Sequence, residues 1–103
     1  MYRFWRHWRF RTDRSDEGFR LAKEVADYLT TKYPEYPVQV YTETFGDLDS
    51  VYWFSDYKDL ANFESFSMRL DADKDYLALV DKFKGLFIDG TGHDTLVGPL
   101  SLA

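Results

Sequence analysis

Residues 2–11, "YRFWRHWRFR", alternate aromatic and arginine side chains and fit three structures: a nucleic-acid grip, a membrane-active helix, or an inner β-strand. Arg3, Arg6 and Arg9 recur every third residue, and in a helix this spacing would resemble that of membrane-active peptides. We interpret the segment as a strand, because a capped helix begins only at Ser15. The two faces of that strand carry Tyr2, Phe4, Arg6, Trp8 and Phe10 on one side and Arg3, Trp5, His7 and Arg9 on the other.

The composition predicts one folded domain. The chain has 103 residues, of which 45% are hydrophobic and 19% aromatic, and we interpret residues 1–103 as a single domain. Cysteine is absent, which excludes disulfides, thiolate chemistry and cysteine metal sites. No apolar run approaches the roughly 18 residues of a membrane span, and arginines interrupt any signal-like core near the N-terminus. We therefore predict a cytoplasmic protein without a membrane partner.

Charge is divided unevenly along the chain. Residues 1–14 hold five arginines and one aspartate, a net charge of +4, so the other 89 residues carry −9 to give the total of −5. Nucleic-acid binding needs a broad positive surface, whereas most of this chain is acidic. We therefore predict that nucleic acid is not a partner.

The segments after the first strand alternate between helix and strand patterns. Ser15 is the predicted N-cap of a helix that Pro34 ends. The apolar face of this helix carries Phe19, Ala22, Val25, Ala26 and Leu29. Two short strands are predicted at about 37–45 and 50–55, joined by a turn at 46–49.

A second helical region ends at Phe87 and is interrupted at "DADKD", residues 71–75. This pentapeptide mimics the start of a calcium loop, but Tyr76 and Lys82 occupy the positions where such a loop needs glycine and glutamate. We interpret it as a solvated helix break. The tail "HDTLVGPL", residues 93–100, is predicted to form a final edge strand.

This order predicts an α+β, ferredoxin-like β-α-β-β-α-β fold with a four-stranded antiparallel sheet, in which the first and third strands are central. Both central strands are apolar on both faces. In the third strand Val51 and Trp53 face one way, and Tyr52 and Phe54 face the other. Helices on one side would leave the second set of aromatics in water. A second copy of the sheet is the simplest cover, so we predict a homodimer.

Two passages resemble the dimeric α+β barrel superfamily and, within it, the NIPSNAP-like proteins. "FWRHWRFRTD", residues 4–13, is similar to that family's opening strand, in which an arginine stands two residues before an aromatic; Arg6 and Trp8 match this pair. "VYWFSDYKDLANFESFSMRLDADKDY", residues 51–76, is similar to a later block with a strand tryptophan, a helix-capping serine or aspartate, and an acidic helix break. The matching positions in that block are Trp53, Asp56, Leu60 and Asp73.

The resemblance implies a dimeric α+β barrel with a small-molecule pocket between the sheet and the helices of each subunit. The superfamily includes cofactor-free monooxygenases and cyclases of aromatic polyketides, haem-using enzymes, and binding proteins without established chemistry. The fold does not choose among these. The chain departs from the family at Phe4, where an acid is common, and at Thr12 and Asp13, where Pro-Gly is usual.

His7 and His93 are the only histidines, and antiparallel first and fourth strands can bring them together. A positioned histidine can act as a general base or a haem ligand, or it can be a hydrogen-bonded or rim residue. Arg6 is a candidate to hold a carboxylate, phenolate or enolate. The alternative for Arg6 is an ion pair with Glu43 or Asp94.

Several aromatic side chains are candidates either to line a cavity for a flat ligand or to pack in the core and interface: Trp5, Trp8, Tyr41, Tyr52 and Trp53. Tyr41 and Glu43 share a strand face, and such a pair can move a proton. The predicted site therefore has His7 and Tyr41 as catalytic residues and, as ligand-binding residues, Arg6, Trp8, Glu43, Trp53 and His93. Neither a metal nor a cofactor is predicted.

The primary prediction is a homodimeric NIPSNAP-like protein that binds a small hydrophobic or aromatic molecule. One alternative is a cofactor-free monooxygenase or polyketide cyclase-like enzyme, with His7 or Tyr41 moving the proton and Arg6 stabilising an oxyanion. Another is a structural or interaction module without a ligand. The enzyme hypothesis requires one pocket that contains at least two of Arg6, His7, Tyr41, Glu43 and His93.

Overall fold

The computed structural model describes residues 1–102 and shows a four-stranded antiparallel sheet with three α-helices. The elements are β1 (Tyr2–Arg9), α1 (Ser15–Lys32), β2 (Gln39–Thr42), β3 (Ser50–Tyr57), α2 (Leu60–Asp71), α3 (Lys74–Asp81) and β4 (His93–Val97). The strand order β2-β3-β1-β4 places β1 and β3 at the centre. The predicted β-α-β-β-α-β order is confirmed, with the second helical region divided into α2 and α3.

The two faces of the sheet have different surroundings. Arg6 of β1 lies opposite Trp53 of β3 on one face. His7 lies opposite Tyr52 on the other. Within residues 1–102, the three helices pack on the face of Arg6, which we call the helix face, and none of them covers the second, which we call the open face. The core on the helix face contains Phe10, Leu21, Ala22, Val25, Ala26, Leu29, Tyr33, Val51, Trp53, Tyr57, Phe66, Phe83 and Leu86.

The start of α1 differs from the prediction. A 3-10 turn over Thr12–Arg14 leads into the helix, and Arg14 is the N-cap. Ser15 already has helical dihedral angles, and its hydroxyl donates to the carbonyl oxygen of Thr12 at 3.2 Å. The predicted N-cap role of Ser15 is therefore wrong, because the 3-10 turn sets the first helical residue one position earlier than a side-chain cap would. The helix ends at Lys32, before Pro34 as predicted.

The hairpin between β2 and β3 is confirmed, although β2 is shorter than predicted. The Glu43 carboxylate accepts a hydrogen bond from the Asp47 amide at 2.7 Å, which draws the chain into a loop directly after Thr42. Gly46 lies within this loop at a φ of 99°, a left-handed conformation that favours glycine. Residues 43–45, which the alternating pattern assigned to the strand, therefore belong to the loop.

The cap of α2 is Asp59, whose side chain accepts from the Asn62 amide at 2.8 Å. The resemblance placed a capping position at Asp56, and this placement is wrong. Asp56 lies inside β3, where it accepts two hydrogen bonds from the Arg3 guanidinium at 2.9 and 3.0 Å. β3 runs to Tyr57, two residues further than that match allowed, and the helix cap lies three residues later.

The helix break at residues 71–75 is confirmed. The prediction that this break is solvated is wrong for Asp73. Asp73 caps α3 through the Tyr76 amide at 3.0 Å and is only 6% exposed. Its carboxylate also accepts from the Tyr33 hydroxyl at 2.6 Å and from the Tyr28 hydroxyl at 2.9 Å. Lys32 completes the group, with its Nζ 3.0 Å from Asp73. The buried Asp73 carboxylate therefore links the end of α1 to the helix break, and we call this group of contacts the buried junction.

β4 forms one edge of the sheet, as predicted, and pairs with β1 alone. Pro99 lies beyond its last residue, Val97, where a missing amide donor costs no ladder hydrogen bond. Within residues 1–102, none of the helices combines the length and apolar character needed to cross a membrane.

Candidate functional site

A cavity of about 410 Å³ lies on the helix face, between the sheet and the three helices. The sheet contributes Phe4, Arg6, Trp8, Trp53, Ser55, Tyr57 and Asp94 to its wall, and the helices contribute, among others, Leu29, Phe63, Ser67, Tyr76 and Val80. Two phenylalanines after α3, Phe83 and Phe87, also line it. The wall is dominated by aromatic and aliphatic side chains, with few polar groups.

One ion pair lies in this wall. The Nε and Nη2 atoms of Arg6 donate to the two Asp94 oxygens at 2.7 and 2.9 Å. Both side chains are partly open to water, 40% and 50% exposed respectively. These hydrogen bonds raise the pKa of the Arg6 guanidinium. The alternative that paired Arg6 with Asp94 is therefore the one that the structure shows.

Two predicted ligand-binding residues, Trp8 and Trp53, also line the cavity. The Trp8 ring stacks on Phe87, with centroids 4.3 Å apart. It lies against Gly92, where an added Cβ would be 2.4 Å from the indole, so a larger residue there would displace Trp8. Trp53 is held by its indole N–H, which donates to the Ala22 carbonyl oxygen at 3.1 Å. Both indoles are fixed by their neighbours.

The other four predicted site residues lie away from the cavity. His7, Tyr41 and His93 belong to the open face, and Glu43 follows β2 on the same side. Of the five side chains named for the enzyme hypothesis, only Arg6 lines the cavity. The single pocket that this hypothesis required is therefore not formed. The cause is the period of two in a strand, which sends Arg6 and His7 to opposite faces.

The two histidines do come together, as the antiparallel pairing predicted. His7 and His93 are register partners, and their rings are nearly parallel with centroids 6.3 Å apart. The ring of His7 also packs on Tyr52 at 4.6 Å. The Nε2 atom of His7 is buried without a hydrogen-bond partner among residues 1–102.

Glu43 pairs with Tyr52 and not with Tyr41. The Tyr52 hydroxyl donates a short hydrogen bond to the Glu43 carboxylate. This hydrogen bond, with partial burial, raises the pKa of Tyr52 to about 12, and it lowers the pKa of Glu43. Tyr41 is 60% exposed and packs on Phe54 with ring centroids 5.3 Å apart. Its predicted proton-transfer role stays a prediction that no contact in the structure supports.

A haem in the cavity would lack a histidine ligand, because neither His7 nor His93 contributes to its lining. A histidine-ligated haem, the kind considered from the sequence, therefore does not fit this wall. Across residues 1–102, no group of three or more histidine, aspartate or glutamate side chains is arranged to hold a metal ion.

Sequence reasoning missed most of the cavity wall that the helices and β3 provide. Ser55 and Tyr57 share their strand face with Trp53, so the alternation could have identified them. The hydroxyl of Ser55 donates to that of Tyr57 at 2.9 Å, inside the core. Ser67 and Tyr76 lie on two different helices, and no spacing in the sequence relates them to β1.

Comparisons with known proteins agree with this fold. Residues 4–93 match the model of a "Family of unknown function (DUF6039)". A comparison with curated proteins finds no match. Among solved structures, the chain is similar to an uncharacterized NIPSNAP domain protein from Burkholderia xenovorans, with 18% identity, coverage of 100% of this chain and 98% of that chain, and a TM-score of 0.79.

Two further structures extend the likeness. A NIPSNAP family protein from Agrobacterium tumefaciens has 16% identity, coverage of 99% and 95%, and a TM-score of 0.78. A putative antibiotic biosynthesis monooxygenase from Nitrosomonas europaea has 13% identity, coverage of 98% and 100%, and a TM-score of 0.76. The predicted resemblance to NIPSNAP-like proteins is confirmed at the level of the fold, which is what identities this low can show. By its match over residues 4–93, the chain belongs to the family of unknown function DUF6039.

Proposed function

We propose that this protein is a homodimer that binds a small hydrophobic or aromatic molecule in the cavity between its sheet and helices. The observation that carries the proposal is the cavity of about 410 Å³ with its aromatic wall and a single arginine. Ligand sites are typically apolar clefts of ~300–1,000 Å³ with a few placed polar groups. The cavity of this chain has that size and that chemistry.

The structure supports ligand binding better than it supports the enzyme hypothesis. A general base must reach the proton that it removes, through a direct hydrogen bond or one water. His7 and Tyr41 lie on the opposite side of the sheet from the cavity. Their catalytic roles, the cytoplasmic location and the absence of a nucleic-acid partner stay predictions.

The three tryptophans provide a direct test of where a ligand binds. Trp8 and Trp53 line the cavity, whereas Trp5 lies on the open face. We expect a naphthyl methyl ketone, used as the probe, to shift the indole N–H resonances of Trp8 and Trp53 in proton–nitrogen correlation spectra and to leave that of Trp5 in place. A shift of Trp5 alone, or no shift at millimolar probe, would contradict the proposal.

A matched pair of serines on α2 controls this experiment. Ser67 lines the cavity, and its hydroxyl donates to the Phe63 carbonyl oxygen at 3.0 Å, while Ser65 is exposed. Ser67→Leu fills part of the cavity and should weaken probe binding at least about tenfold, since the probe and the leucine compete for the same volume. Ser65→Leu should leave the affinity unchanged. Equal affinities of the two variants would place the probe elsewhere.

The homodimer is supported by the open face. This face carries a run of packed aromatic side chains, in which Trp5 and Phe54 have ring centroids 5.9 Å apart and Tyr52 and Phe54 lie 6.1 Å apart. Soluble monomers rarely leave a contiguous apolar patch of a whole sheet in water. A second copy of the same face covers it with matching chemistry through a two-fold axis.

Trp5→Glu is expected to convert the dimer to a monomer, because it buries a charge in the middle of an apolar interface. Light scattering after gel filtration should give twice the chain mass of 12.2 kDa for the wild type and the chain mass for the variant. Met68→Glu, on the exposed side of α2, should remain dimeric. A wild-type protein with the mass of one chain would refute the dimer. Phe54→Glu repeats the test if Trp5→Glu does not fold.

A further inference from the structure

We propose that the cavity selects a neutral aromatic ligand with a hydrogen-bond acceptor, such as an aryl ketone or quinone, over an aromatic carboxylate. The reason is that Asp94 already neutralises the arginine that would hold an anion. This inference rests on the proposed function and adds the chemical class of the ligand. It differs from the sequence-based expectation that Arg6 would hold a carboxylate, phenolate or enolate.

The geometry of Arg6 determines what it can still bind. Its bidentate contact with Asp94 uses two of the five N–H donors of a guanidinium, one on Nε and one on Nη2. The remaining donors lie on Nη1 and Nη2, and a guanidinium has no acceptor to offer. The group also lies over the Phe4 ring, 5.8 Å from its centroid, which keeps it against the wall. Arg6 can therefore donate to a ligand oxygen without releasing Asp94.

The charges around the cavity disfavour an anion. Arg6 is its one cationic lining residue among residues 1–102, and Asp94 and Asp71 are two carboxylates in the same wall. A carboxylate bound at Arg6 would meet the attraction of one cation and the repulsion of the paired Asp94, and Asp71 adds a second negative charge to the wall. A ketone oxygen carries no net charge, so it gains the hydrogen bond without that repulsion.

The rest of the wall favours a flat, apolar body for the ligand. Trp8 and Phe87 are stacked with an angle of 16° between their planes, and Phe83 lies nearly parallel to Phe87 at 8°. Parallel rings of this kind leave flat surfaces against which a planar ligand can stack. The combination is a flat aromatic wall beside a guanidinium that retains free donors, with no net positive charge.

Titration calorimetry with two probes of the same shape tests the selectivity. On the wild type, a naphthyl methyl ketone should bind at least about tenfold more tightly than naphthoate. Asp94→Asn removes the neutralising charge and should strengthen naphthoate binding at least about tenfold, with less than about a threefold change for the ketone. Arg6→Gln should weaken both probes, and it serves as the second variant if Asp94→Asn does not fold.

The open face provides a matched control. Arg3 and Asp56 form a second bidentate pair there, at 2.9 and 3.0 Å, with a similar degree of exposure. Asp56→Asn should leave the affinities of both probes unchanged. Naphthoate binding as tightly as the ketone, or Asp94→Asn leaving naphthoate weak, would overturn the selectivity while the cavity remained a binding site. Absence of binding by the ketone, with the Trp8 and Trp53 resonances unmoved, would instead refute the proposed function and this inference with it.

Discussion

Replacing Asp73 with alanine is expected to lower the free energy of unfolding by about 2–4 kcal/mol, from an unpaired buried donor and a lost helix cap. The Tyr33 hydroxyl is buried, and its donor would lose the carboxylate that accepts from it at 2.6 Å. The amide of Tyr76 would lose its capping partner at 3.0 Å. Urea unfolding of the two proteins at neutral pH measures the difference.

The loss should depend on pH in a defined direction. Burial raises the pKa of the Asp73 carboxyl, but hydrogen bonds from Tyr33, the Tyr76 amide, Lys32 and Tyr28 outweigh it and hold that pKa well below the ordinary 3.8. A group whose pKa is lowered in the folded state contributes its full stabilisation of the fold at pH values above its unfolded pKa. That contribution is lost as the pH falls toward the folded pKa. The difference between wild type and Asp73→Ala should therefore be constant above about pH 5 and shrink below about pH 4.

Two variants control the Asp73 experiment. Asp73→Asn keeps an acceptor oxygen for one hydroxyl and for the cap, so its loss at neutral pH should be smaller than that of alanine. Because asparagine does not titrate, this loss should also shrink in acid. Asp71→Ala, in the same helix break but exposed, should change stability by less than about 0.5 kcal/mol. An Asp73→Ala protein as stable as Asp71→Ala would show that the buried junction contributes nothing.

Phe10→Ala is expected to destabilise the protein by about 3–5 kcal/mol, as large-to-small changes at buried aromatic positions do. Phe10 is 0% exposed, and its ring packs edge-on against Phe19 at 5.2 Å. It also stacks parallel to Phe87 at 5.2 Å and Phe83 at 6.2 Å. Both of those phenylalanines line the cavity, so the same change should also weaken probe binding.

The backbone beneath Phe10 explains why this site cannot easily collapse. Gly18 of α1 lies so close that an added Cβ would be 2.5 Å from the ring, and the helix therefore already touches Phe10 without a side chain. Phe45→Ala, at a position 91% exposed in the loop after β2, should change stability by less than about 0.5 kcal/mol. Similar losses for the two variants in chemical unfolding would contradict the central packing role of Phe10.

The candidate site could be predicted only in part. Arg6, Trp8 and Trp53 were predicted to bind a ligand, and this role stays a prediction. The structure places all three in the cavity wall, because the alternation in β1 and β3 puts them on one face. His7 and Glu43 were grouped with them on chemical grounds, and the alternation itself argues against that grouping for His7. Strand periodicity was therefore more informative than residue type.

At the helix break, local patterns predicted the boundary but not the burial of Asp73. The pattern around Asp73 indicated the correct boundary, and composition suggested that an acidic pentapeptide would be solvated. Burial of Asp73 depends on Tyr28 and Tyr33, which are 45 and 40 residues earlier in the chain. Tyr28 and Lys32 of α1, with Tyr33 directly after it, converge on this carboxylate and can offset its desolvation, and no local pattern reports such a convergence.

The sequence was sufficient for the order of the elements, the central place of β1 and β3, and the two apolar faces of "YRFWRHWRFR", because each depends on local periodicity and on turn or cap residues. The tertiary structure was needed to show which face the helices cover, that Arg6 is neutralised by Asp94, and that Glu43 binds Tyr52. These features depend on side chains that meet only after strands and helices pack. The charge state of the cavity, and hence the class of ligand that we propose, comes from those distant contacts.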